Sequence, residues 1–255
     1  MKFEIITLFP DYFSLSLSQS LLGKAVNKEL IELNIVDLRD FAVDKHNTVD
    51  DAPYGGGGGM VLKIEPLDNC LKSLGYKHKH QNDSAVSSDE AVKNDKIILT
   101  SAAGKSFDHN QAIKYSLTNK ITIICGHYLG VDERIIDLYD IEEISIGDYI
   151  LTGGEPAAAV MVDAVARLIP KVLGNFQSAL GDSYMDDIVG TPCYTRPEEY
   201  ESRKVPPELL GGDHKKIMKF RRQSALKKCS QNRPDLLKKA ELSTDELKML
   251  NLHIN

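Results

Sequence analysis

The stretch Ile144-Ser145-Ile146-Gly147-Asp148-Tyr149-Ile150-Leu151-Thr152-Gly153-Gly154-Glu155 constrains this chain most. It starts as an apolar strand and breaks at Gly147. It turns apolar again through Leu151, breaks at Gly153-Gly154, and enters an Ala-rich helical pattern over Glu155–Leu168. Glycine lets a backbone turn tightly and approach a neighbour with no Cβ in the way. A strand end, a glycine turn and a helix start together form the corner at which α/β proteins hold small molecules. Two further corners repeat the plan. Ile121–Cys125 runs into Gly126-His127-Tyr128-Leu129-Gly130, and Ile97–Thr100 opens into Ser101-Ala102-Ala103-Gly104. Three strands, ending at Thr100, Cys125 and Ile146, therefore release small-residue loops at one expected sheet edge, and the corners after Cys125 and Ile146 are expected to face each other across one site. Backbone N–H and C=O groups in such loops can read a flat, weakly polar ligand such as adenosine without any distinctive side chain.

The rest of the pattern predicts an α/β chain. Lys2–Phe9 reads as a strand bounded by Pro10-Asp11. Tyr12–Asn27 reads as a helix with Asp11 as its cap, and Ile31–Leu38 as the next strand. A strand, a helix and a strand of these lengths predict a βαβ unit and a mostly parallel sheet. Short helices are expected at Glu65–Leu74 and Asp108–Leu117, and the polar, aperiodic Lys77–Lys96 is expected to be an exposed insertion. After Pro170 the period fades. We place the first domain at 1–173, a linker at 174–187 and a small all-α domain at 188–255. The last contains basic helices at His214–Lys228 and Pro234–Ala240, and a final helix opened by the capping box Ser243-Thr244-Asp245-Glu246.

Charge is unevenly shared. The net charge is −6, yet Arg203–Lys239 carries 12 Lys and Arg against 3 Asp and Glu, a local balance of +9 against −15 for the remainder. That asymmetry points to a polyanionic partner for the C-terminal segment. Cys70, Cys125, Cys193 and Cys229 lie far apart with no CxxC spacing, so each reads as a small buried hydrophobe in a reducing compartment. No run approaches the length of a membrane span, and the N-terminus carries no apolar segment behind basic residues, so a cytoplasmic protein that meets no membrane is expected. The five glycines Gly55–Gly59 invite a phosphate-loop reading, but Met60-Val61 follow where Lys and a hydroxyl residue would be needed. His78 and His80 lie in a Lys-rich stretch and read as solvated rather than metal-binding, and no metal ligand is assigned.

Taken in order, Leu8-Phe9-Pro10, Thr48-Val49-Asp50-Asp51 before Pro53-Tyr54-Gly55, Cys125-Gly126-His127-Tyr128 with Gly130 and Asp132-Glu133-Arg134, Ser145-Ile146-Gly147-Asp148-Tyr149 with Leu151 and Gly153-Gly154-Glu155, Tyr194-Thr195-Arg196-Pro197, and Val205-Pro206-Pro207 span nearly the whole chain. This set resembles the bacterial tRNA (guanine-N1)-methyltransferases, the TrmD type of the knotted SPOUT superfamily. The resemblance implies a deep trefoil knot in the first domain, methyl transfer from S-adenosyl-L-methionine to N1 of the guanine just 3′ of the tRNA anticodon, G37, and magnesium assistance. It also implies a homodimer whose site is built from both chains. By motif position it implies Asp182 as general base and Arg167 as charge stabiliser. The cofactor would be held by Thr100, Ser101, Gly126, Leu129, Ser145, Ile146, Gly147, Asp148, Tyr149, Ile150, Leu151, Gly153 and Gly154. The tRNA would meet Asp50, Gly55, Gly59, Ser178, Tyr194, Arg196 and His214.

The chain departs from that family's pattern at several positions. Leu129 stands where an acid is usual and His127 where an arginine is. Ala102-Ala103 replace a Pro-Gln pair, Gly181 replaces an acid, Cys193 replaces a histidine, and Pro156 is shifted by one. The alternatives are a related SPOUT-type RNA methyltransferase with another target, and a non-catalytic RNA-binding protein.

Overall fold

The computed structural model describes residues 1–79, 94–174, 183–184 and 186–251. The chain divides into two compact units, Met1–Gly174 and Asn175–Asn255.

The N-terminal unit is built on a five-stranded sheet in the order β2-β1-β6-β5-β7, with every neighbouring pair parallel. The strands are β1 (Lys2–Thr7), β2 (Glu32–Asp37), β5 (Lys96–Ser106), β6 (Lys120–Ile124) and β7 (Ile141–Ser145). β3 (Asp50–Asp51) and β4 (Val61–Leu62) form a separate antiparallel pair. Parallel sheets are covered on both faces, and alternation along each strand feeds two cores here. Phe3, Ile5, Ile98, Ile121 and Ile123 pack with α1 (Asp11–Ser16), α2 (Ser20–Asn27), α4 (His109–Ser116) and α6 (Glu155–Ala166), through Phe13, Leu22, Ala112 and Met161. Ile6, Ile97, Leu99 and Ile124 face the other way, onto Leu67 and Leu71 of α3 (Ile64–Ser73) and Ile135 of α5 (Arg134–Leu138).

Three local expectations are corrected. The predicted helix Tyr12–Asn27 is two helices, because Ser20 adopts a left-handed backbone (φ 54°) after the extended Gln19. Asp11 does not cap the first of them. Pro10 already holds helical angles at the N-cap position, and Asp11 supplies the first-turn acid. The strand starting at Ile97 does not stop at Thr100. Thr100 and Lys105 both lie opposite Ile144, so Ser101–Gly104 bulge out of a ladder that resumes at Lys105.

In the C-terminal unit, α7 (His214–Asn232) and α8 (Pro234–Leu237) pack around Ile188, Ala225, Leu226, Cys229 and Leu236, and Leu242 and Leu250, which flank α9 (Thr244–Met249), pack against that cluster. Asp213 caps α7 by accepting the Lys215 and Lys216 amides, and the capping box forms between Ser243 and Glu246. The unit is not purely helical. β8 (Glu199–Tyr200) and β9 (Arg203–Lys204) make a hairpin, whose turn residues Glu201 and Ser202 both have positive φ. Such a turn matches the twist of paired strands, and the flanking Pro197, Pro206 and Pro207 break any helix there. All four cysteines are free. Cys70, Cys125 and Cys229 are buried as expected, whereas Cys193 is exposed. Among the described residues no helix is long and apolar enough to cross a membrane.

Candidate active site

A cleft of about 510 Å³ opens where β6 and β7 end beside the bulge of β5, and the three small-residue corners line it. That volume lies within the range of about 300–1,000 Å³ usual for small-molecule sites. The β5 bulge contributes Thr100 and Ser101, the β6 corner Gly126 and Leu129, and the β7 corner Ser145, Ile146, Gly147, Tyr149, Ile150, Leu151, Gly153 and Gly154. Of the residues expected at the cofactor, Asp148 is the one outside this lining, and it is exposed.

The corners are bonded to one another. The Gly154 N–H donates to the Gly126 carbonyl at 2.8 Å, and His127 and Gly153 form an antiparallel bridge. Thr100 Oγ1 accepts the Gly126 N–H at 3.1 Å and donates to the Ile124 carbonyl at 3.2 Å. A Cβ on Gly154 would collide with Thr100 Oγ1 and lie 2.8 Å from both Cys125 Cα and the Gly126 nitrogen. Backbone closes on backbone here, which is why the sequence needs glycine at this point.

Behind the cleft, Glu155 opens α6 and is only 4% exposed. Its Oε1 accepts a 2.7 Å hydrogen bond from Thr7 Oγ1, which in turn accepts the Phe9 N–H at 2.9 Å. The acid sits in the first helical turn, where the helix dipole favours negative charge. The His127 ring packs against Phe9, with centroids 5.2 Å apart, and against Tyr128 at 4.9 Å. Its Nδ1 is buried without a hydrogen-bond partner. Burial, and then the nearby Glu155 charge, push the Cys125 thiol well above its ordinary pKa, so it is not a ready thiolate nucleophile.

The remaining expected residues are placed as follows. Arg167 is the C-cap of α6, its amide bonded to the Asp163 carbonyl, with a half-buried side chain. Asp50 lies in β3, and Gly55 and Gly59 sit exposed at the tip of the β3–β4 hairpin with φ of 87° and 100°. In the C-terminal unit Tyr194 is half-exposed, Arg196 precedes a cis peptide bond to Pro197, and His214 begins α7. Asp182, Gly181, Ser178 and His80 lie outside the described residues, as do most of the Lys77–Lys96 insertion and of the 174–187 linker. Sequence reasoning missed Glu133 and Glu143, two carboxylate residues in the lining. Both occupy sequence already singled out for other reasons, Glu133 in Asp132-Glu133-Arg134 and Glu143 in the strand before Ser145. Among the described residues no group of three or more His, Cys, Asp or Glu gathers as a metal site.

Comparison with known proteins bears on this arrangement. A family model described as tRNA (Guanine-1)-methyltransferase TrmD matches residues 1–239. A tRNA (guanine-N(1)-)-methyltransferase of Geotalea uraniireducens is 46% identical over 250 residues, covering 98% of this chain and 96% of the relative. One from Geobacter sulfurreducens is 45% identical over 246 residues, covering 96% and 95%. One from Sulfurihydrogenibium sp. is 48% identical over 250 residues, covering 98% and 92%. With matches of this length running through all three corners of the cleft, the chain belongs to the tRNA (guanine-1)-methyltransferase family.

Proposed function

We propose that this protein transfers a methyl group from S-adenosyl-L-methionine to N1 of the guanine immediately 3′ of the anticodon, position 37, in tRNA. The observation that carries the reading is the cleft sealed by Gly126, Gly153 and Gly154 in a chain of this family. The lining suits such a donor. It offers apolar surface from Leu129, Ile150 and Leu151, and the acids Glu133 and Glu143 for cationic groups. The donor, when bound, supplies a methyl group on a sulfonium that leaves as a neutral thioether.

The chain's own residues do the rest. Asp182 takes the N1 proton of guanine, leaving the nitrogen's electron pair free to form the new bond to carbon. The negative charge that spreads onto O6 is met by Arg167, at the end of α6. The corners hold the methyl in line with N1. The site is shared across a homodimer, with the linker carrying Asp182 reaching the cleft of the second subunit, and the β5, β6 and β7 corners are threaded as a deep trefoil knot. In the cytoplasm the tRNA is held by Asp50, Gly55, Gly59, Ser178, Tyr194, Arg196 and His214. The basic face of α7 supplies charge through residues such as Lys215, Lys219 and Arg221, all exposed. Magnesium assistance enters as part of the family resemblance.

Mass spectrometry of tRNA incubated with the methyl donor tests the reading. Asp182→Ala is expected to abolish methyl incorporation while calorimetric binding of S-adenosylhomocysteine persists; unchanged turnover would reject Asp182 as the base. A tRNA with adenine in place of that guanine is expected to receive no methyl, and its methylation would favour a related RNA methyltransferase with another target.

A further inference from the structure

The five glycines Gly55–Gly59 are not equivalent. A Cβ built on Gly55, Gly56, Gly57 or Gly58 would meet nothing within 4 Å. A Cβ on Gly59 would lie 3.0 Å from Leu129 Cγ and 3.2 Å from its Cδ1, on a backbone with φ of 100°. Four glycines therefore project as a free arm, and the fifth is seated on the Leu129 side chain. The stem of the arm is fastened to the same corner by main-chain bonds. The Leu129 N–H donates to the Met60 carbonyl, the Leu62 N–H to the Gly130 carbonyl, and the Asp132 N–H to the Leu62 carbonyl, each at 3.0 Å. Leu62 and Val131 pair as a parallel bridge. Leu129 also lines the cleft and is still 62% exposed.

We propose that Leu129 is a positioning residue that couples the cleft to the glycine arm: a nucleoside ligand in the cleft packs on its free face and holds Gly59, and with it the arm, in the posture that receives tRNA. The inference rests on the function proposed above. Leu129 lines the cleft, and its side chain supplies the three atoms nearest to the space over Gly59. A branched apolar side chain suits the role, since its two methyl groups can touch Gly59 and a ligand at once without a polar group to satisfy. An ordered arm costs a ligand less conformational entropy on docking than a free run of glycines does.

Amide hydrogen exchange of the full-length protein, read on peptides covering Tyr54–Met60, tests the coupling. It is measured with and without S-adenosylhomocysteine at concentrations that saturate each form by calorimetry. In the parent protein the ligand is expected to slow exchange of this segment about tenfold, and in Leu129→Ala the slowing is expected to vanish at equal saturation. With the methyl donor saturating, the KM for tRNA in that variant is expected to rise about tenfold. Leu129→Ile, which keeps a branched apolar side chain, is expected to restore both. Ligand binding with no change in the Tyr54–Met60 exchange of the parent protein would overturn the coupling. So would equal slowing in Leu129→Ala. Absence of any ligand binding to the parent protein would instead strike the proposed function itself.

Discussion

Substituting Gly154 by alanine tests the claim that the cleft exists because backbone packs directly on backbone. The new Cβ would meet Thr100 Oγ1, Cys125 Cα at 2.8 Å and the Gly126 nitrogen at 2.8 Å. A threonine rotamer can change, but Cys125 and Gly126 directly follow β6, a strand flanked on both sides by β1 and β5. The α6 entry must then move outward, which weakens the 2.8 Å bond from the Gly154 N–H to the Gly126 carbonyl. Overpacking typically costs about 1–3 kcal/mol and a lost hydrogen bond about 1, which together predict a destabilisation of about 2–4 kcal/mol. For a unit of this size each kcal/mol shifts the midpoint by about 2–4 °C, so calorimetry should record a fall of roughly 4–16 °C in the transition of the N-terminal unit. Because Gly153 and Gly154 line the cleft, titration with S-adenosylhomocysteine should show affinity reduced at least about tenfold, or 1.4 kcal/mol. A variant that melts within a degree of the parent and binds the ligand equally well would refute the packing argument.

Two further outcomes can be checked. Burial opposes ionisation of Asp68, but hydrogen bonds from His78, Lys72 and Tyr139 outweigh it and draw the carboxyl down to about pKa 2. A group depressed in this way stabilises the fold above its unfolded value of about 3.9. Urea titrations should therefore show stability falling between about pH 4 and pH 2 in the parent, with a shallower fall in Asp68→Asn, and identical acid profiles would count against the cluster. Thr7→Val removes the donor to Glu155 Oε1 and the acceptor for the Phe9 N–H; leaving buried polar groups unpaired should cost about 1–3 kcal/mol in urea denaturation, and a loss below about 0.5 kcal/mol would show that Glu155 finds another partner.

The glycine corners were legible in the sequence because a missing Cβ leaves a local mark. Gly126, Gly153 and Gly154 announce a close approach whatever lies opposite, and the structure brings them to one cleft. What lies opposite was not legible. The strand through Thr100 was expected to end there because Ser101-Ala102-Ala103-Gly104 reads as a loop, yet β7 on one side pulls Lys105 and Ser106 back into the ladder. The break between α1 and α2 was hidden for a similar reason. Phe13, Leu17, Leu21 and Leu22 keep a helical period across it, while the turn depends on the backbone of Ser20. The stem of the glycine arm needs Met60 and Leu62 to find Leu129, Gly130 and Asp132, a contact between segments nearly 70 residues apart that no local pattern encodes. The C-terminal hairpin was missed because two-residue strands, Glu199–Tyr200 and Arg203–Lys204, leave too little alternation to read.

The order of strands in the central sheet has a bearing on how the molecule comes off the ribosome. The first strand made lies beside β6, whose residues begin only at Lys120. Until that point the nascent β1 has β2 on one flank and an unsatisfied flank on the other. At a synthesis rate of about 5–20 residues per second, that flank waits roughly 6–24 seconds for its neighbour. The last helix of the unit reaches back across 148 positions to bond Thr7 through Glu155. A polypeptide stalled before β6 would therefore display an open strand edge to the chaperones, and completion of the unit coincides with arrival of the helix that closes the cleft.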